Sequence, residues 1–321
     1  METRRRLVHG LFRVLPLLVT ASLLVLLLRV CSWEKALEIW RHFHPGDLAA
    51  SVALMTVSIV VGAIALLVLF ELKGHLAWWV RFTVDYFYVQ AICQLTPAQA
   101  GEAALPYVSG RGRFAPGEIA ASLVIQRITS LGIILVVAVI GAGAWAEPSL
   151  LWGAAAFVLL SCLTVIAMIT NSSARGWLNE FVGRRFGPIL HGFYDTWTSV
   201  FRDRRGRFMA HVVLMVSRFL IGVASSYAMF MAFDVVVPFW DLAALSAFTT
   251  LAVLIPISIN GIGVTEGIFV AALADYGYGT EQVLTACLAG RVLWILTVLV
   301  WSGAYWFLGW REGQAVSGLR G

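Results

Sequence analysis

Apolar residues in this chain come in long unbroken runs, not in the alternating or three-and-four spacing of a half-buried element. Six runs, 11–30, 48–70, 119–145, 149–170, 212–233 and 283–308, reach the length a helix needs to cross a bilayer, roughly 20 residues. They are too long for the tilted strands of an outer-membrane barrel. The pattern predicts an all-α, polytopic helical membrane protein with about six full spanning helices and a single integral domain over 1–321.

Two further apolar stretches, 78–110 and 241–275, carry helix breakers in mid-run. In the first, Pro97, Gly101 and Glu102 interrupt the pattern; in the second, Pro256, Asn260, Gly261, Gly263 and Glu266 do. Proline stops a helix and glycine allows a sharp backbone path, so each stretch reads as a re-entrant hairpin of two half-helices. Charge placement requires the same. With a cytoplasmic N-terminus, the 23 basic residues fall on the cytoplasmic side except Lys35, Arg41 and the intramembrane Arg29, Arg127, Arg218 and Arg291, as the retention of Lys and Arg inside demands. That allocation holds only if the first stretch returns to the cytoplasm and the second to the outside, where Asp234, Asp241 and Asp275 flank it. Both termini are then cytoplasmic.

The hairpins occupy matching places in two opposed units, 48–145 and 212–308, each a helix, a hairpin and a helix. This is the layout of an inverted repeat. Glu102 precedes Arg127 by 25 positions, and Glu266 precedes Arg291 by the same 25.

Composition closes off other classes. The chain is 60% hydrophobic and only 13% charged, with mean hydropathy +0.84. The one sizeable polar stretch, 171–207, is too short to bury a core of its own. Its aromatic residues at near-helical spacing, among many arginines, read as a basic interfacial segment on the anionic cytoplasmic leaflet, or as a loop simply held inside by its charge. Arg4, Arg5 and Arg6 before the first run, with Arg13 at its start, imitate a secretory signal. The run is long enough to span and no small-residue cleavage site follows, so an uncleaved first helix is expected. Cys31, Cys93, Cys162 and Cys287 are scattered without a metal-binding spacing, and His42 and His44 form an isolated pair in a loop, so neither metal nor cofactor is expected. Gly261 and Gly263 lack the strand-to-helix context of a nucleotide loop. Asp85, among aromatic residues, reads as a hydrogen-bonded group at the mouth of the first hairpin or as a proton-coupling acid.

An ionised side chain at bilayer depth costs about 2.5 to 3.5 kcal/mol on insertion scales, so it faces a cavity or a partner. Glu102, Glu266, Arg127, Arg218 and Arg291 fall in this group. Two readings stand. The Glu/Arg sets are salt bridges that pin the hairpins, or the arginines and the free amides of the second half-helices hold an anionic headgroup near the midplane. The two pairs are expected to behave alike.

The segment 95–102 (Leu-Thr-Pro-Ala-Gln-Ala-Gly-Glu), followed by Tyr107 and then Gln126-Arg127, resembles the first signature of the transmembrane region of lysylphosphatidylglycerol synthase/flippase proteins. The segment 255–266 (Ile-Pro-Ile-Ser-Ile-Asn-Gly-Ile-Gly-Val-Thr-Glu), followed by Gly290-Arg291, resembles the second. The resemblance extends over roughly 48–306. It implies an integral membrane domain that moves lipids, here without the soluble aminoacyl transferase that some members carry. The expected function is a lipid transporter or flippase in the inner membrane for an anionic, polyprenyl-linked or hopanoid-type lipid. The alternatives are a membrane-embedded enzyme, with Glu102 or Glu266 as acid or base, or a scaffold for lipid or glycolipid biosynthesis. The candidate substrate site comprises Arg127, Arg291, Glu102, Glu266, Gly101, Gly261, Gly263, Tyr107 and Arg218. The expected partner is a membrane lipid with an anionic headgroup. Lipid-biosynthesis enzymes and a second copy of the chain are further candidates; nucleic acid is not.

Overall fold

The computed structural model describes residues 32–70, 76–94, 96–109, 115–141, 192–253 and 258–318, with scattered positions between 156 and 176. The first apolar run, most of the fourth, the larger part of the basic segment, and Arg111 and Arg185 lie outside these residues. Among the described residues the secondary structure is helical, with no strand. Its helices are α1 (Trp33–Arg41), α2 (Pro45–Leu69), α3 (Leu76–Gln94), α4 (Leu105–Ser109), α5 (Pro116–Gly141), α6 (Phe193–Arg202), α7 (Arg205–Met231), α8 (Phe239–Val253), α9 (Val264–Ala274) and α10 (Thr280–Gly318). Short 3-10 helices at Pro97–Ala104 and Ile259–Gly261 precede α4 and α9.

Four helices are long and apolar enough to cross a membrane: α2, α5, α7 and α10 over Thr280–Tyr305. α2, with 25 residues, is about 37 Å long at 1.5 Å per residue, more than the hydrocarbon core. Pro45 starts it without losing a bonded N–H, and Asp47 complements the positive end of its dipole. Val57, Val136, Ile140, Val213, Val292 and Val300 project outward from these helices and are exposed. Apolar surface of that kind suits lipid contact and not water. The chain is a multi-pass membrane protein.

α2 and α7 form the central pair. Ser51 meets Ser225, Ser58 meets Arg218, and Ala65 meets His211, a heptad-spaced and antiparallel register. Each of Ser51 and Ser225 donates its hydroxyl to the other's carbonyl, at 2.9 and 2.8 Å. Ser58 Oγ donates to Arg218 O at 3.2 Å, and His211 Nδ1 lies 2.8 Å from Ala65 O. At the far end, Arg204 and Arg207 donate to Leu69 O and Phe70 O, at 3.2 and 3.1 Å, placing positive charge at the negative end of the α2 dipole.

The remaining contacts are matched between the two halves. α3 packs on α10 as α8 packs on α5, and the tips of the two interrupted segments pack on one another. One step along the chain carries Glu102 to Glu266, Arg127 to Arg291, Pro116 to Thr280 and Gly141 to Tyr305. α8 and α9, with 15 and 11 residues, fold back on each other, and each is about 22 Å or less, too short to cross the hydrocarbon core alone. In the first half, α3 turns back through Pro97–Ala104 and α4. Gly101 makes that return possible: a Cβ there would lie 2.7 Å from Cys93 N. At the second tip Asn260 and Gly261 take positive φ, 48° and 71°, and a Cβ on Gly261 would meet Val253 Cγ2 at 2.3 Å.

Candidate functional site

The tips meet beside the central pair and enclose two adjoining cavities. The larger, about 420 Å³, is lined by α2, α3, α7, α8, α9 and α10, and includes Gln90, Arg218, Asn260, Glu266 and Arg291. The smaller, about 280 Å³, includes Glu102, Gln126, Arg127, Arg218 and Ser246. Ser58, Arg218, Gly222, Ser226, Thr250 and Val253 line both, so the two form one chamber divided by a thin wall. Gln94 of the first hairpin accepts a hydrogen bond from the Asn260 amide of the second at 2.6 Å and joins the tips.

The Glu/Arg pairs enter the chamber from opposite halves and differ sharply. Glu266 is 1% exposed and fully engaged. Its Oε1 receives Arg291 Nε and Nη2, both at 2.7 Å, and its Oε2 receives Gly263 N at 2.7 Å. Arg291 Nη1 also donates to Asn260 O at 3.1 Å and so ties α10 to the tip. Glu266 therefore satisfies an open amide at the start of α9 and neutralises Arg291. In the other half, Arg127 Nη1 stands 3.9 Å from Glu102 Oε2, with side chains 31% and 19% exposed. That contact is longer and more exposed than the Glu266–Arg291 pair.

Arg218 is the charge without a counterpart. It rises from the middle of α7, its guanidinium lies against Gly62, and it makes no ion pair or side-chain hydrogen bond among the described residues. A Cβ on Gly62 would come within 2.9 Å of Arg218 Nε, so the glycine makes room for it. Among the described residues, Gln90 Nε2 and Ser246 Oγ around the chamber are also buried without a hydrogen-bond partner. Gln126 donates to Tyr86 Oη at 3.2 Å, leaving its carbonyl oxygen unpaired. Three guanidinium groups and two carboxylates leave the chamber net positive. An anion entering it meets a free guanidinium and unsatisfied donors in a low-dielectric surround, where hydrogen bonds to a charged group are strongest.

The structure thus brings together five of the nine sequence-derived candidates: Glu102, Arg127, Arg218, Glu266 and Arg291. Gly101, Gly261 and Gly263 sit at the tips as backbone positions and line neither cavity. Tyr107 is not at the chamber. Leu105 and Pro106 are the inward residues of α4, and Tyr107 is 57% exposed on its outer side. Gln90 and Ser246 are residues that sequence reasoning did not single out, a neutral polar residue in an apolar run being their only signal; Gln126 was named there only within the first signature, without a role. Asp85 is buried and paired with Arg81 at 3.1 Å, and the Arg81 guanidinium lies over the Tyr305 ring.

A multi-pass helical protein whose two matched halves bring interrupted helices to a buried, net cationic chamber is a class defined by fold and site together. The chain belongs to the lysylphosphatidylglycerol synthase TM region family, whose sequence pattern matches residues 13–302. Comparison with curated proteins gives no match.

Proposed function

We propose that this protein is a lipid transporter of flippase type, moving an anionic, polyprenyl-linked or hopanoid-type lipid across the cell inner membrane. The observation that carries this reading is Arg218, a guanidinium at the junction of the two cavities that is unpaired among the described residues, with the Gln90 and Ser246 donors, likewise unpartnered there, around the same chamber. The charge is costly at membrane depth unless something occupies it, and a phosphate-bearing headgroup fits its fork. The family name, which refers to a lipid product, supports the same substrate class. The unequal Glu/Arg pairs support a transport cycle in which the halves exchange roles. In the structure the Glu266–Arg291 pair is tight at 2.7 Å and the Glu102–Arg127 pair stretched to 3.9 Å; the opposite-facing state would reverse these distances.

The test is reconstitution of the purified protein in liposomes, with translocation of a fluorescent phosphatidylglycerol followed against phosphatidylcholine of the same chains. Faster movement of the anionic lipid is expected. Equal rates for both, or conversion of the lipid into a new chemical species, would overturn the reading, the second in favour of a membrane enzyme.

Orientation belongs to the same proposal. Asp234, Asp241 and Asp275 gather at one end of the bundle, where His44 pairs with Asp234 and Tyr276 donates to Asp241, while Arg204 and Arg207 cap α2 at the other end. With the arginine end cytoplasmic, a cysteine at Asp275 in a background free of native cysteines is expected to react with a membrane-impermeant thiol reagent in intact cells. One at Arg111 is expected to be shielded. Labelling at Arg111 from outside would mean that the first hairpin crosses.

A further inference from the structure

A second cavity system lies away from the chamber, on the opposite side of α5. It is a groove of about 610 Å³ between α5, α6, the start of α7 and the helical positions Ile166 and Thr170. Its wall is apolar: Ile125, Ile128, Ile166, Trp197, Phe201 and Phe208. Of the three threonines lining it, Thr129, Thr170 and Thr198, the last two donate to carbonyls of their own helices at 2.8 and 2.9 Å. α6 is amphipathic and part of the basic segment expected to lie on the membrane. Two of its apolar residues, Trp197 and Val200, are instead buried on protein, against Leu69 and Ile125. That contact turns a surface helix into one side of a groove.

Arg202 and Arg205 are the groove's charged residues. The two arginines beside them in sequence are engaged elsewhere: Arg204 and Arg207 donate to the end of α2. Arg202 is exposed and makes no hydrogen bond or ion pair among the described residues. Arg205, also exposed, uses only Nε, which donates to Phe201 O at 3.3 Å. The mouth thus carries uncommitted guanidinium nitrogens above an apolar trough, at the arginine-rich end of the bundle. Hydrocarbon of any lipid would fill the trough, but only an anionic headgroup also answers the two charges, as basic pockets beside spanning helices do.

We infer that this groove holds one anionic phospholipid of the adjacent leaflet, its acyl chain along α5 and α6 and its phosphate on Arg202 and Arg205. The site shares no lining residue with the central chamber and does not depend on the transport proposal.

Trp197 is the reporter. The full-length protein is placed in vesicles of phosphatidylcholine containing either brominated-chain phosphatidylglycerol or brominated-chain phosphatidylcholine, and tryptophan quenching is compared with that of Trp197→Phe. The component lost in Trp197→Phe is expected to be quenched preferentially by the phosphatidylglycerol probe, with apparent affinity about tenfold above that for phosphatidylcholine. Arg202→Gln/Arg205→Gln should abolish the preference and leave the melting temperature unchanged, since both side chains are exposed. A third measurement adds inorganic phosphate at increasing concentration. Equal quenching by both probes would reduce the groove to ordinary lipid contact, and loss of quenching at millimolar phosphate would make it a site for the free ion. Either result overturns the proposal.

Discussion

Arg218→Gln is expected to slow translocation of an anionic lipid about 100-fold, the loss produced when a charge-assisted contact worth roughly 2 to 5 kcal/mol is removed, while the protein inserts and melts as before. The two halves of this expectation have one cause. Among the described residues Arg218 has no carboxylate to leave behind and no side-chain hydrogen bond to break, so removing it takes away a half-buried charge that nothing there offsets. Stability is therefore unchanged or raised. Arg218→Lys keeps the charge but not the planar fork, and should restore the rate only in part. Translocation in proteoliposomes beside melting in detergent checks both. An undiminished rate in Arg218→Gln would remove the headgroup from the chamber centre.

The four observed spanning helices contain most of the corresponding apolar runs, the one at 205–231 starting seven residues before its run, because any such run must satisfy its own backbone inside a bilayer. The interruptions were equally legible, since proline and glycine act locally. What the sequence leaves open is which face a polar residue presents once a helix changes type. Between Pro97 and Ala104 the chain winds at three residues per turn and then resumes the α form, which shifts the phase and turns Tyr107 outward. The matching spacing of the two Glu/Arg pairs suggested equal roles. Their geometry is unequal because Gly263 presents an amide to Glu266 and Asn260 a carbonyl to Arg291, whereas Glu102 sits within a 3-10 turn at the edge of the chamber. Arg218 was visible as an intramembrane charge, but its lack of a partner depends on three helices that are distant in sequence.

That inequality gives the second large effect. Glu266→Gln leaves Arg291 buried without its counter-ion and is expected to destabilise the protein by about 3 to 5 kcal/mol, with failed insertion as the extreme form. Glu266→Gln combined with Arg291→Gln removes both charges, so it should recover much of that loss, because a lone buried charge costs more than none. The corresponding changes at Glu102 and Arg127 act on a pair 3.9 Å apart at the chamber wall. They should alter stability less than the Glu266 and Arg291 changes do, because the contact is longer and its side chains are more exposed. Melting of the four single and two double variants in detergent measures the contrast; equal destabilisation of the two pairs would mean that their difference in geometry has no energetic weight. Translocation by the folded Glu266/Arg291 double variant then separates the two readings of Arg291. A full rate would make the pair a pin for the second hairpin alone. The expected result is a stable protein that moves lipid poorly, because in the opposite-facing state this pair must open and offer Arg291 to the headgroup.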